Sequence, residues 1–148
     1  MIRLLCPEDI ETTASIWLDA AIKSHHFISE EYWVSQQQNM RDIYLTHSES
    51  WVYEDSRGIL GFVSYHKGSI PAIFVEPYSQ SRGIGTQLLE VLKSKYSELD
   101  LCVYLNNDKA RQFYLRHGFR DWGQSLCEYT AVSYTHLTLP TTGIVGVW

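Results

Sequence analysis

Apolar residues in the first part of the chain recur every three or four positions, the spacing of one face of a helix. This pattern predicts a helix over residues 8–24, whose buried stripe holds Ile10, Ala14, Trp17 and Ala21. Ser29 is a residue type that caps helices, so it predicts the start of a second helix. The apolar positions along that second helix are Trp33, Met40 and Tyr44.

Short runs rich in β-branched and aromatic residues, bounded by turn residues, predict strands. These runs cover residues 2–6, 50–54, 59–65, 70–75, 99–105 and 119–129. Helical spacing returns over residues 85–96, where Leu88, Val91 and Leu92 are predicted to lie on one face, and again after Asn107 as far as Gly118. This order of elements predicts an α+β fold with three layers, α/β/α, in which one mixed, mostly antiparallel sheet carries helices on both faces.

The length of 148 residues is that of one domain, and residues 1–130 are predicted to form it. Residues 131–148 change character, because threonine, valine, leucine and glycine dominate them and they lack Asp, Glu, Lys and Arg. Two interpretations of this atypical C-terminal tail stay open. It is either a weak closing strand or an artefactual stretch that does not belong to the native protein.

The charge balance narrows the choice of partners. The net charge of −5 gives no basic footprint for nucleic acid or for an anionic membrane, and it favours a basic substrate such as an amine. Cys6, Cys102 and Cys127 lie far apart and lack the spacing of metal ligands, which predicts free thiols and no metal site. No signal peptide and no membrane-length apolar run is found, so the protein is expected to be soluble and cytoplasmic.

The most informative stretch is residues 80–85, Gln-Ser-Arg-Gly-Ile-Gly, between a predicted strand and a predicted helix. Gly83 and Gly85 carry no Cβ, so the backbone can approach a ligand closely there. The first N–H groups of a helix lack internal partners and lie at the positive end of the helix dipole. The stretch is therefore predicted to bind a phosphate, although a plain strand-to-helix turn explains two glycines before a helix equally simply. It matches neither the Walker A loop nor the Rossmann fingerprint.

A second motif, N-x-x-A-x-x-F-Y-x-x-x-G-F, runs from Asn107 to Phe119. Read with the pattern Gln80-x-x-Gly83-x-Gly85 before it, the chain resembles the GNAT-type N-acetyltransferases over about residues 1–128. It is most similar to the small single-domain bacterial branch that includes protein-lysine acetyltransferases. The resemblance implies the GNAT-like fold, acetyl-CoA as co-substrate, and an N-acetyltransferase domain over residues 1–130.

The resemblance also implies roles for individual residues. The backbone of Phe74 and Val75 would pair with the pantetheine arm and offer an N–H to the thioester carbonyl. Asn107 would hydrogen-bond the cofactor, and Tyr114 would act as the general acid that protonates the departing thiolate. The pyrophosphate would be held by the backbone amides of Gln80, Ser81, Arg82, Gly83, Ile84 and Gly85, with the Thr86 hydroxyl beside them.

The general base is the open point of this interpretation. Cys102 stands where related sequences often have an acidic residue. Glu76 is one candidate base, acting through water, although a solvated loop carboxylate explains it equally simply. His26 is the other candidate because its pKa is ordinarily near neutral, although a loop histidine is often a packing residue. His25 and His26 have no further ligand at metal-binding spacing nearby.

The predicted function is transfer of an acetyl group from acetyl-CoA to a primary amine, by direct attack in a ternary complex. A protein lysine is the expected acceptor, and a small-molecule amine is the close alternative. A non-catalytic sensor that binds acyl-CoA is the alternative from another class. The sequence does not indicate an oligomeric state.

Overall fold

The computed structural model describes residues 1–128 and 130–140. The predicted strand end at Tyr129 and residues 141–148 of the predicted tail lie outside the described residues. The chain divides into two compact units, the first from Met1 to Leu92 and the second beginning at Lys93.

The first unit contains four strands and three complete helices. The strands are β1 (Ile2–Leu4), β2 (Glu49–Asp55), β3 (Gly58–His66) and β4 (Ser69–Val75). They pair in chain order, each antiparallel to the next, as the predicted hairpins require. The helices are α1 (Ile10–Ser24), α2 (Glu30–Asn39) and the short α3 (Leu45–His47). Helix α4 (Ile84–Lys95) follows β4, and all but its last three residues belong to this unit.

The second unit contains β5 (Glu98–Tyr104), α5 (Asp108–Arg116), β6 (Arg120–Leu126) and β7 (Ser133–Pro140). β7 lies between β5 and β6 and pairs antiparallel with both. Thr135, Leu137 and Leu139 of β7 are buried, because alternate residues of a strand point to the same face. Residues 133–140 are thus a strand in the middle of this unit. Whether the acetyltransferase domain ends at residue 130 stays a prediction.

The second predicted helix is interrupted, and its apolar face differs from the prediction. Residues Met40–Tyr44 form a π-helical turn, in which the Leu45 amide donates to the Met40 carbonyl five residues earlier. The wider turn adds one residue to the period, so the buried series runs from Trp33 through Met40 to Leu45. Tyr44, predicted to lie on the buried face, is 49% exposed.

Helix α4 buries one face against the strands of its unit. Ile84, Leu88 and Leu92 recur every four residues and are almost fully buried. The prediction named Leu88, Val91 and Leu92. The structure buries Leu89 as well and leaves Val91 only partly covered.

A charged group near the N-terminus joins three segments of the first unit. The Arg3 guanidinium lies 2.7 Å from an Asp9 carboxylate oxygen and 3.0 Å from a Glu54 carboxylate oxygen. These hydrogen bonds connect β1, the 3₁₀ turn at Pro7–Asp9 and β2. They hold the pKa of the Asp9 carboxyl below its ordinary value, because Arg3 favours the charged carboxylate.

Candidate active site

The loop between β4 and α4 contains left-handed backbone just before a helix N-terminus. A 3₁₀ turn at Pro77–Ser79 leads into it, and α4 begins at Ile84. Two residues of the loop have left-handed backbone, Ser81 with φ of 67° and Gly83 with φ of 80°. Alternation of left-handed and right-handed residues points successive N–H groups into one concavity, and the helix terminus adds its own N–H groups. This local geometry agrees with the predicted phosphate-binding role of residues 80–85.

Hydrogen bonds attach the loop to the end of β4. The Gln80 side-chain amide donates to the Val75 carbonyl at 3.0 Å. The Glu76 carboxylate accepts hydrogen bonds from the Tyr78 amide at 3.1 Å and from the Ser79 hydroxyl at 2.7 Å. The 3₁₀ turn is therefore capped, and the position of the loop depends on the position of β4.

The edge of β4 that faces away from β3 offers the Val75 backbone. The Glu76 amide donates to the Leu60 carbonyl of β3 at 2.7 Å. Since successive amides of a strand point to opposite edges, the Val75 amide points away from β3. The Val75 carbonyl points the same way, which is why Gln80 can reach it. This orientation is the one that the predicted thioester contact requires.

Glu76, a predicted base, already serves a structural purpose. The hydrogen bonds from Ser79 and Tyr78 favour the charged carboxylate and hold its pKa below the ordinary value of a glutamic acid. A carboxylate with a lowered pKa is a weaker proton acceptor. The geometry thus favours the capping role, and a catalytic role for Glu76 stays a prediction.

The two adjacent histidines lie in different environments. His26, the predicted base, is exposed, and its ring meets Phe27 edge to face at 5.6 Å between centroids. His25 is buried, and its Nδ1 lies 2.7 Å from the Ala21 carbonyl oxygen. A carbonyl can only accept, so Nδ1 carries the hydrogen and the lone pair of the neutral ring is on Nε2.

Burial of the His25 ring lowers its pKa and keeps it neutral near pH 7. His25 is a candidate that the sequence analysis did not select. Its burial follows from the packing of its ring against Trp33, with 4.8 Å between centroids. That tertiary contact has no signal in the local sequence.

The end of α1 reaches the turn that precedes the anion-binding loop. The Lys23 ammonium lies 5.5 Å from the ring centroid of Tyr78, which is 87% exposed. Within the first unit, Lys23, which precedes His25 and His26, thus contacts Tyr78 in the turn that precedes residues 80–85. Phe74, Val75 and residues 80–86 belong to the same continuous stretch, and Thr86 lies in the first turn of α4.

The remaining predicted site residues, Asn107 and Tyr114, belong to the second unit. The Asn107 side-chain oxygen accepts a hydrogen bond from the Ala110 amide at 3.3 Å and so caps α5. Tyr114 is 7% exposed and packs edge to face on Phe119 at 5.4 Å between centroids. Burial raises the pKa of the Tyr114 hydroxyl, so the phenol holds its proton at neutral pH. A phenol in that state can donate a proton but does not accept one.

Cys102, which stands at the position of an expected acid, lies at an exposed position of β5. Its sulfur is 3.2 Å from Nδ1 of His136 on β7. No group of three potential metal ligands occurs within residues 1–128 and 130–140. In the same part of the chain, no helix combines the length and the apolar character that a membrane crossing requires.

A loop with left-handed backbone at Ser81 and Gly83 joins an antiparallel strand to a helix in an α+β chain, which is the arrangement that the resemblance to acetyltransferases implies. The family description "Acetyltransferase (GNAT) domain" matches residues 46–121. The chain belongs to the GNAT family of acetyltransferases. The family and the class of enzyme expected from the two sequence motifs are thereby confirmed.

Two relatives whose names state an activity are similar to this chain over most of their length. The chain is 35% identical over 120 residues to the peptidyl-lysine N-acetyltransferase YiaC of Escherichia coli strain K12, covering 80% of this chain and 82% of the relative. It is 28% identical over 137 residues to the peptidyl-lysine N-acetyltransferase YjaB of the same strain, covering 92% of each.

Solved structures confirm the predicted fold class. The solution structure of apo-form YjaB from Escherichia coli matches with a TM-score of 0.82 and 27% identity, over 93% of this chain and 95% of that one. The PaiA N-acetyltransferase of Thermoplasma acidophilum, solved in complex with coenzyme A, matches with a TM-score of 0.75 and 20% identity, over 92% and 96% of the two chains. The latter likeness concerns the fold alone.

Proposed function

We propose that this protein transfers the acetyl group of acetyl-CoA to the side-chain amine of a protein lysine, by direct attack within a ternary complex. The observation that carries the proposal is the left-handed backbone at Ser81 and Gly83, in the loop that leads into the first turn of α4. The names of the two curated relatives, both peptidyl-lysine N-acetyltransferases, support lysine as the acceptor.

The residues around the loop fit acetyl-CoA by the chemistry of their donors. The amides of residues 80–85 would hold the two negatively charged phosphate groups, with the Thr86 hydroxyl beside them. Val75 would pair with the pantetheine arm, because its amide and carbonyl point away from β3, whereas the Phe74 backbone, predicted to share this role, faces Phe62 of β3. Asn107 would contribute a further hydrogen bond. When bound, acetyl-CoA supplies an acetyl thioester with an electrophilic carbonyl carbon.

Two groups of this chain would assist the transfer. The Val75 amide would donate to the carbonyl oxygen as negative charge develops there, which is the role of an oxyanion donor. Tyr114 would give its proton to the departing sulfur. Because its pKa is raised, the hydroxyl is protonated at neutral pH, as a general acid must be.

The acceptor amine must lose a proton before it attacks. His26 and Glu76 stay the predicted acceptors of that proton. We add His25, whose ring is neutral near pH 7, although its lowered pKa makes it a weaker acceptor, as the lowered pKa of Glu76 does. Glu76 is limited further because its carboxylate is engaged by Ser79 and Tyr78. A cytoplasmic location is part of the proposal, as is the absence of nucleic-acid and membrane partners.

A small-molecule amine is the second acceptor to test, because the acidic net charge of −5 favours any basic substrate. A non-catalytic acyl-CoA sensor is the third alternative, and the observation behind it is Cys102 in place of an acid.

One assay separates these alternatives. Release of free thiol from acetyl-CoA is followed with lysine peptides and with a panel of small amines, and the products are read by mass spectrometry. The proposal predicts a gain of one acetyl group on the lysine side chain. Turnover with small amines only would favour the second alternative. Binding of acetyl-CoA without turnover on either panel would favour the sensor.

A further inference from the structure

Gly61 of β3 lies next to both parts of the proposed acetyl-CoA site in the first unit, the end of β4 and the start of α4. A Cβ atom at this position would lie 3.0 Å from the Phe74 carbonyl oxygen of β4. It would also lie 3.3 Å from Cγ2 of Ile84 and 3.4 Å from Cδ1 of Leu88, both on α4. The absence of a side chain thus allows one strand and one helix to approach the same point.

The backbone conformation does not explain this glycine. Gly61 lies within β3, opposite Val75 of β4, and its φ is not in the left-handed region where glycine is favoured. A glycine inside a strand costs stability because it gains no side-chain packing, and it often marks a close approach of another backbone. The three Cβ distances show that the backbone of β4 and two side chains of α4 approach Gly61.

The neighbours cannot all move aside cheaply. The contacts at 3.0 and 3.3 Å are tighter than ordinary van der Waals contacts and call for shifts of a few tenths of an ångström, whereas the Leu88 contact at 3.4 Å is nearly ordinary. The Phe74 oxygen is a backbone atom and moves only with β4. Ile84 and Leu88 are 3% and 0% exposed, so their side chains have little free space around them. Relief therefore requires the end of β4, the start of α4 or both to move away from Gly61, which changes their relative position.

The two displaced residues are themselves part of the proposed site. Phe74 precedes the Val75 amide, and Ile84 is the first residue of α4, where the phosphate-binding amides begin. We propose that Gly61 is a positioning residue for acetyl-CoA, which fixes the distance between the thioester-binding end of β4 and the mouth of α4. This inference rests on the proposed function. It adds a residue outside both sequence motifs and outside every contact predicted for the ligand.

The test compares Gly61→Ala with Gly123→Ala, a matched variant in β6. Gly123 is also a strand glycine, but a Cβ there would meet nothing within 4 Å. The affinity for CoA is measured by calorimetry and the folded fraction by thermal melting. The KM values for acetyl-CoA and for the acceptor are measured separately. Misplacement of binding groups by less than 1 Å is expected to raise the Kd for CoA and the KM for acetyl-CoA by about tenfold in Gly61→Ala. The KM for the acceptor should not change in Gly61→Ala. Gly123→Ala should keep the wild-type Kd for CoA, both KM values and the Tm.

A second variant distinguishes positioning from a general loss of stability. Leu88→Ala removes Cδ1 of Leu88, the second-nearest α4 atom to the added methyl group, and opens space for that group on the α4 side. If Gly61 acts through the position of α4, Gly61→Ala in the Leu88→Ala background should raise the Kd for CoA less than it does alone. A merely structural role would instead lower the Tm in both backgrounds and leave the Kd for CoA of the folded protein unchanged, because Leu88→Ala truncates the core.

The outcomes separate this inference from the function on which it rests. A wild-type protein that does not bind CoA overturns both. A wild-type protein that binds CoA, with a Gly61→Ala variant of equal affinity, overturns the role of Gly61 and leaves the function intact. A Gly61→Ala chain that is unfolded at 10 °C, or one with lowered kcat at unchanged KM for acetyl-CoA, also overturns it, because the glycine would then serve only the fold.

Discussion

The loop at residues 80–85 and the helix α5 each carry part of the proposed site, but they are built in different ways. The loop offers backbone amides, and its conformation depends on left-handed residues such as Gly83. Helix α5 offers the side chain of Tyr114, which is buried against Phe119 and keeps its proton. A backbone site tolerates many side chains but few changes of φ. A side-chain site tolerates changes of backbone detail but not the loss of one hydroxyl group.

The largest expected effect concerns the integrity of the second unit. Ending the chain after residue 130 removes β7, which pairs with both β5 and β6 and buries Leu137 and Leu139. We expect loss of cooperative unfolding of this unit, because two of its strands lose their shared neighbour. Circular dichroism melting checks this, with a chain that ends at residue 140 as the control. Undiminished melting of the shorter chain would support the interpretation that residues 131–148 are foreign to the domain.

The next effect concerns the side-chain half of the site. Removing the hydroxyl in Tyr114→Phe should lower kcat by about 10²-fold or more, the usual contribution of a general acid. The affinity for CoA should not change, since the ring still packs on Phe119. Steady-state kinetics and calorimetry check the two quantities. Tyr44→Phe, at an exposed tyrosine, is the control. An unchanged kcat in Tyr114→Phe would remove this residue from the mechanism.

A smaller effect concerns the backbone half. Left-handed backbone costs a residue with a side chain about 1–2 kcal/mol, so Gly83→Ala should weaken CoA binding by about tenfold. At saturating acetyl-CoA, kcat should stay near the wild-type value. Gly58→Ala is the matched control, because Gly58 has φ of 114° in the hairpin between β2 and β3 and equally open space around it. If both variants bind CoA alike, the loop geometry at Gly83 does not matter for the ligand.

The smallest effect is a pH dependence of stability. Burial lowers the pKa of His25 below its ordinary value of 6.5, so the unfolded chain takes up this proton at a higher pH than the folded chain does. The stability gained with the neutral ring is present above pH 6.5 and is lost as the pH falls below it. The Tm should therefore decrease by a few degrees between pH 7.5 and pH 5.5. His25→Asn should flatten that dependence, whereas His26→Asn at the exposed neighbour should not. Equal profiles for both variants would contradict the assignment.

The sequence predicted most strongly what is encoded by local pattern. The hairpins from β2 to β4, the stripe of α1 and the start of α4 beside Gly83 and Gly85 all follow from residue spacing and turn residues. The left-handed backbone at Gly83 was predictable because few residues other than glycine adopt it, whereas the left-handed Ser81 beside it gave no such signal. Tyr114 was selected only through the family resemblance, since a buried aromatic residue on a helix has a simpler packing explanation.

What the sequence did not predict depends on contacts between distant residues or on irregular backbone. The π-helical turn places Leu45 instead of Tyr44 in the core, and a regular period of 3.6 residues cannot indicate it. His25 differs from His26 because its ring packs against Trp33 and its Nδ1 contacts the Ala21 carbonyl oxygen. Gly61 gave no signal in its own strand, because its neighbours on α4 are more than twenty residues away in sequence.

The central claim is that the loop at residues 80–85 binds the pyrophosphate of coenzyme A, and calorimetry with two ligands tests it most directly. Coenzyme A carries the pyrophosphate, and pantetheine, which shares the thiol-bearing arm, does not. The account predicts one site per chain for coenzyme A, with a Kd between about 1 μM and 1 mM as is usual for enzyme substrates, and no measurable heat with pantetheine at the same concentrations. Absence of heat with millimolar coenzyme A, or equal binding of the two ligands, would contradict it.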